Sequence, residues 1–186
     1  ALVAGWGLLV ATPIQAIVQF DRQVAQIPVA VRALAWMERH VPSGTPVAVA
    51  AGVPLVPNKA SIRRQLEEIR AKGIGQGIRL QRLARYVSSL PATYDVWSLP
   101  YPWREDFDPD DLDFAKHRQA GVRYVVVTDE MEQYLADPSR YPVHAQYYTA
   151  VRDAGRLVQE FRGQRPDVDP GLGTEEYVLI YDVGKS

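Results

Sequence analysis

The stretch best equipped to handle a ligand is Tyr101-Pro102-Trp103-Arg104-Glu105-Asp106. An aromatic pair beside a guanidinium can stack on a sugar ring while the forked cation holds a phosphate or carboxylate. Thr128-Asp129-Glu130 offers a hydroxyl and two carboxylates directly after a β-branched run. Ligands in open α/β sheets gather at the carboxyl ends of strands, so both groups fall on one expected rim. Tyr101, Trp103, Arg104, Thr128 and Asp129 are therefore the candidate ligand-binding residues. A plainer reading stands beside this one: aromatic side chains next to prolines commonly pin a loop to the core.

Other chemistry-bearing groups fall short of a site. Glu105, Asp106, Asp108, Asp110, Asp111 and Asp113 alternate like a calcium loop, but counting from Asp106 puts Asp111 where the turn glycine belongs and His117 where the bidentate glutamate belongs. Acidic enrichment ahead of a helix explains the cluster through the macrodipole. Gly73, Gly75 and Gly77 follow a helix rather than a strand, so they read as a helix-ending linker and not as a phosphate-binding fingerprint. His40, His117 and His144 form no i,i+4 pair, which leaves a histidine metal site without local support and points to three surface residues. No serine sits in a G-x-S-x-G elbow. The chain has no cysteine, which excludes thiolate nucleophiles, Cys-type zinc sites and disulfides. No cofactor motif and no self-contained catalytic centre is present.

Positioning falls to alternating helices and strands. After Asp21 the apolar residues Val24, Ile27, Val31 and Leu34 define one face of a helix running to about His40, with Pro28 as a kink or true start. Val47–Ala50 reads as a buried strand. Ser61 reads as the N-cap of a helix through Ile62, Leu66 and Ile69, or as part of its first turn, with Gly73 closing it. Ile78 to Val87 is a second helix, Leu80, Leu83 and Val87 facing inward and arginines outward. Strands follow at Tyr94–Leu99 and Val122–Val127, separated by a helix over about 110–119. Helices at 130–136 and about 142–154 precede two closing strands around Leu157–Phe161 and Tyr177–Tyr181. The pattern predicts a three-layer α/β sandwich with a mainly parallel, Rossmann-like sheet and a C-terminal antiparallel hairpin at its edge.

At 186 residues with a net charge of -1, the chain is long enough for its own core and carries no field for gathering nucleic acid. The organisation expected is an apolar N-terminal segment over 1–20 and a single α/β domain over 21–186. Ala1–Val18 is apolar except for Thr12 and Gln15, and as a helix it would reach roughly 27 Å, close to a bilayer core. The end of a membrane helix and a helix docked on the domain's own core both fit that segment.

Several of these pieces in order resemble a known arrangement. They are the apolar N-terminal stretch, Leu34–Thr45 leading from helix to first strand, Ala120–Val127, the Tyr147-Tyr148 helix, Leu157–Phe161 and Tyr177–Tyr181. Together they resemble the soluble C-terminal domain of bacterial GT-C-type membrane glycosyltransferases, the dolichyl-phosphate-mannose-protein mannosyltransferase-like proteins. That resemblance implies an extracytoplasmic location at the cell membrane and, as partner, a preceding transmembrane region of the same polypeptide. It also implies a role in holding a lipid-linked sugar or its acceptor. The family's catalytic acidic residues lie near the start of its membrane region, outside this stretch, so no catalytic residue carries over. The alternative is a free-standing α/β sugar- or nucleotide-binding protein or enzyme that uses the rim; a purely structural or interaction module is the third possibility.

Overall fold

The computed structural model describes residues 28–50, 52–73, 77–90, 92–104, 107–164 and 175–184. The expected apolar segment over 1–20, Val24 and Ile27, Gly75, and Glu105 and Asp106 lie outside them.

Helix α1 (Val29–His40) starts immediately after Pro28, whose fixed φ and missing N–H suit a helix start. Its buried residues are Val29, Ala33 and Met37, spaced i, i+4, i+8. The inward face expected from Val31 and Leu34 is thus rotated, and Val31 is exposed. Ala33 is fully buried in the cluster that holds the β-strand valines. Strand β1 (Pro46–Ala50) follows, then α2 (Lys59–Ala71) and α3 (Ile78–Tyr86), which continues into a 3-10 turn at Val87–Ser89. The N-cap of α2 is Asn58, whose side chain accepts from the Ser61 N–H at 2.8 Å. Ser61 is therefore within the first turn, and its hydroxyl is spent elsewhere.

Strand β2 (Asp95–Leu99) leads to a 3-10 turn at Pro109–Leu112 and a short helix α4 (Phe114–Gln119). One helix was expected here; the chain breaks it because Asp108 caps the first piece and Asp113 recaps the second, each accepting from a backbone N–H ahead of it. Strand β3 (Tyr124–Thr128) begins two residues later than the apolar run suggested and takes in Thr128. Helices α5 (Glu130–Ala136) and α6 (Pro142–Ala154) then precede β4 (Arg156–Gln164) and β5 (Glu175–Asp182).

These strands form one five-stranded sheet in the order β2-β1-β3-β5-β4. β1 runs parallel to both β2 and β3, with Ala50 beside Leu99 and Val49 beside Val126. β5 is antiparallel to β3 and to β4, so the expected hairpin is present and β4 forms the edge. Alternate strand residues feed two separate apolar clusters. Val47, Val49, Val126, Val178 and Ile180 pack with α1, while Ala48, Val125, Val127, Leu179 and Tyr181 pack with α5 and α6. Both sides of β1, β3 and β5 are buried, which is why these strands read as nearly continuous apolar runs.

Candidate functional site

The opposite edge strand, β2, is shaped by α2. The backbone groups of Val96 point away from β1, and the Ser61 hydroxyl donates to the Val96 carbonyl at 2.9 Å and accepts from its N–H at 3.2 Å. Gln65 in turn donates to the Ser61 hydroxyl at 3.0 Å. Arg64 adds a second donor to the same carbonyl at 2.8 Å, pairs with the Asp95 carboxylate at 2.8 Å and lies 3.9 Å over the Trp97 ring. Buried polar groups left unmade would cost about 1–3 kcal/mol each, so this lattice fixes α2 against the sheet.

Helix α3 is set by α2 in turn. Gly77 opens it at φ 58, a left-handed conformation, and a Cβ there would lie 2.6 Å from a Leu66 methyl. The left-handed φ is the demand that favours glycine, since the leucine methyl could shift. Leu80 and Leu83 then face a cleft of about 540 Å³ at the carboxyl ends of β1 and β2. Its walls are the loop after β1, with Val53 and Leu55, and the segment after β2, with Pro100, Tyr101 and Arg104; Arg79 and Tyr86 close it from α3. The loop after β1 is held by the Tyr94 N–H to Val56 and the Asn58 N–H to Tyr94, at 2.8 and 2.6 Å. A smaller cleft of about 240 Å³ shares Gln65, Ser98 and Arg104 and continues to Glu68, Lys72, Lys116 and His117. Burial raises the Glu68 carboxyl above its ordinary range, against the opposing pull of Arg64.

The sequence-expected residues divide between this rim and its surroundings. Tyr101 and Arg104 line the main cleft. Trp103 stacks on Tyr101, ring centroids 4.5 Å apart and planes 16° apart, and is 62% exposed. The Tyr101 phenol is raised above its usual range by burial first and then by the nearby carboxylates Glu130 and Asp129. The ends of β2 and β3 therefore meet on one rim through Tyr101. Asp129 precedes the first turn of α5 without capping it. Thr128 ends β3 with its hydroxyl buried and without a hydrogen-bond partner among the described residues. Neither Thr128 nor Asp129 lines either cleft.

Two histidines depart from the surface reading. His117 is 3% exposed and shares a 2.9 Å hydrogen bond with the Tyr147 hydroxyl; His144 is 2% exposed and its Nε2 lies 3.0 Å from the Pro100 carbonyl. Burial lowers both imidazoles, His117 to about 4, with Asp113 and Asp111 opposing only in part. They stand neutral and structural near neutral pH. The acidic cluster is likewise structural: Asp110 pairs with Lys116 at 2.6 Å and Asp111 with Lys72 at 3.2 Å. Among the described residues no group of three His, Asp or Glu side chains is arranged to hold a metal ion. What sequence reasoning missed is the α3 wall, Arg79, Leu80 and Leu83, and the Gln65–Ser98 floor. The signal was the split of α3 into apolar and arginine faces.

No family model and no curated protein sequence matches the chain. Among solved structures it is similar to Sp1610 of Streptococcus pneumoniae, a candidate tRNA (m1A22) methyltransferase, at 10% identity and a TM-score of 0.31 over 87% of this chain and 72% of that one. A likeness at that level does not extend to activity.

Proposed function

We propose that the chain is a ligand-holding α/β domain without catalytic machinery of its own, acting as an accessory extracytoplasmic domain of a membrane glycosyltransferase-like protein. The observation that carries the binding role is the cleft at the ends of β1 and β2, where apolar Val53, Leu55, Leu80 and Leu83 face Arg79, Tyr101 and Arg104. An apolar trough with a few convergent polar groups is the usual form of a small-molecule site. The glycosyltransferase setting is supported by the sequence resemblance, and in it the cleft holds part of a lipid-linked donor or of the acceptor. We read the fold as a three-layer, Rossmann-like sandwich, supported by the two apolar clusters and by the strand order at β2-β1-β3.

Location is testable because the chain lacks cysteine. Ser139→Cys, at an exposed turn, is introduced into the protein expressed from its intact gene. Labelling of intact cells by a membrane-impermeant maleimide, beyond that of the same protein with Ser139 intact, is expected; such added labelling only after lysis would sink the extracytoplasmic role. For the cleft, titration with a short-chain polyprenyl phosphate and with methyl mannoside is read from the amide resonances of Leu80, Ser98 and Tyr101. Shifts at these positions with either probe support the reading, and none with both removes it.

The meeting of Tyr101 with Glu130 favours a second reading, a free-standing sugar- or nucleotide-binding protein or enzyme that uses Tyr101, Trp103, Arg104 and Asp129. Labelling only after lysis together with saturable probe binding would favour it.

A further inference from the structure

Between Glu68 and Asp95 the chain carries five basic residues, Arg70, Lys72, Arg79, Arg82 and Arg85, and no carboxylate. In a protein of net charge -1 this is a strong local segregation. α3 sits in the middle of it and contributes no fully buried residue. At 3.6 residues per turn, Arg85, Ile78, Arg82, Tyr86 and Arg79 occupy, in that order, an arc of about 120°. All five are exposed, Ile78 at 52% and Tyr86 at 53%. None of the three arginines has a carboxylate partner among the described residues. Leu80, Leu83 and Ala84 lie on the other side and are half-buried against the cleft and α2.

A face that interleaves cations with an exposed isoleucine and tyrosine suits a particular surface. Phosphates need the cations; the aliphatic and phenolic side chains need an apolar layer just beneath. We infer that α3 docks this face on an anionic lipid bilayer, its arginines among the headgroup phosphates and Ile78 and Tyr86 at the acyl boundary. Charge complementarity argues for the anionic surface, and Ile78 argues for lipid over nucleic acid, which offers aliphatic chains nothing to stack on. Arg79 and Tyr86 belong both to this face and to the cleft lining, so docking brings the cleft mouth to the lipid surface. The inference goes beyond the proposed function and can fail or hold independently of what the cleft binds.

The test uses the 186-residue chain and a triple variant, Arg79→Gln with Arg82→Gln and Arg85→Gln, sedimented with vesicles of phosphatidylcholine alone or with about one third phosphatidylglycerol. Each arginine near an anionic surface contributes about fivefold, so the native chain is expected to partition on the order of 100-fold more tightly than the variant onto anionic vesicles. Ile78→Ser is expected to lose roughly tenfold. Because the changed side chains are exposed, thermal unfolding of both variants should match the native chain, which separates lost docking from lost folding. Residues 1–18 are common to all three proteins and cancel in the comparison. Equal partition onto neutral and anionic vesicles, equal partition of native and triple variant, or tighter arginine-dependent binding to single-stranded oligouridylate than to the anionic vesicles would each overturn the inference.

Discussion

The α5–α6 face of the sheet and its β2 edge, where α2 and α3 sit, are built on opposite principles. Under α6 the aromatic side chains lock together: Tyr147 meets Phe114, His117 and Tyr148, and Tyr134 meets Tyr141, His144 and Tyr148. Even the imidazoles are buried there. At the β2 edge, α3 buries no residue fully, α2 is attached to the strand by polar side chains, and two clefts open beside these helices. A sheet packed on both faces can hold a loosely filled edge in place, and that edge is where ligand-sized space and surface charge become available. Stability is concentrated in the packed faces and binding capacity at the open edge.

If that division is right, Tyr147→Ala should give the largest loss. It removes a ring 1% exposed together with the hydroxyl partner of His117, and a deficit of about 3–5 kcal/mol is expected from urea denaturation. A loss below about 1 kcal/mol would mean that the aromatic flank is not the stabilising one. Next comes the pH response of His117. An unfolded histidine titrates near 6.5 and the buried one near 4, so between these values the unfolded chain binds the extra proton. Stability from keeping this ring neutral is full above about pH 6.5 and is lost as pH falls toward 4, by roughly 3 kcal/mol. His144 is shifted in the same direction and adds to the trend. NMR titration of the His117 ring checks the claim directly, and a midpoint near 6.5 in the folded protein would show that water reaches this flank. The smallest effect is expected at the open rim, where Trp103→Ala should change stability by no more than about 0.5 kcal/mol. A larger loss would show that the Tyr101–Trp103 stack pins the loop instead of presenting a ring to a ligand.

The packed flank was also the more legible one. Pro142 at the first turn and Gly155 after the last bracket α6 so clearly that the expected and observed bounds agree, and the run Val125–Val127 announces a strand buried on both faces. The faces of helices were harder. Ala33 carries little weight in an apolar periodicity yet is fully buried in α1, while Val31 faces outward. His117 and His144 looked like surface residues because the groups that satisfy them, Tyr147 and the Pro100 carbonyl, lie far away in sequence. The rim was half readable: a strand-end argument brought Tyr101 and Arg104 to the cleft and Tyr101 to Glu130. Nothing local to the rim announces that a helix in the preceding crossover supplies the facing wall.

The hold of α2 on Val96 also bears on how molecules of this protein meet one another. In a strand paired on one side, alternate residues turn both peptide groups outward, and such a row is a template for a foreign strand. At the centre of β2 those groups are already taken by Ser61 and Arg64, so an incoming chain finds no free partner there. The other border of the sheet, β4, has a bulge between Leu157 and Gln159 and charged side chains at Arg156, Glu160 and Arg162. Bulges twist a border away from its neighbour, and charges resist stacking in register. Neither border invites growth by strand addition, so contacts between concentrated copies are left to side-chain surfaces and not to the backbone.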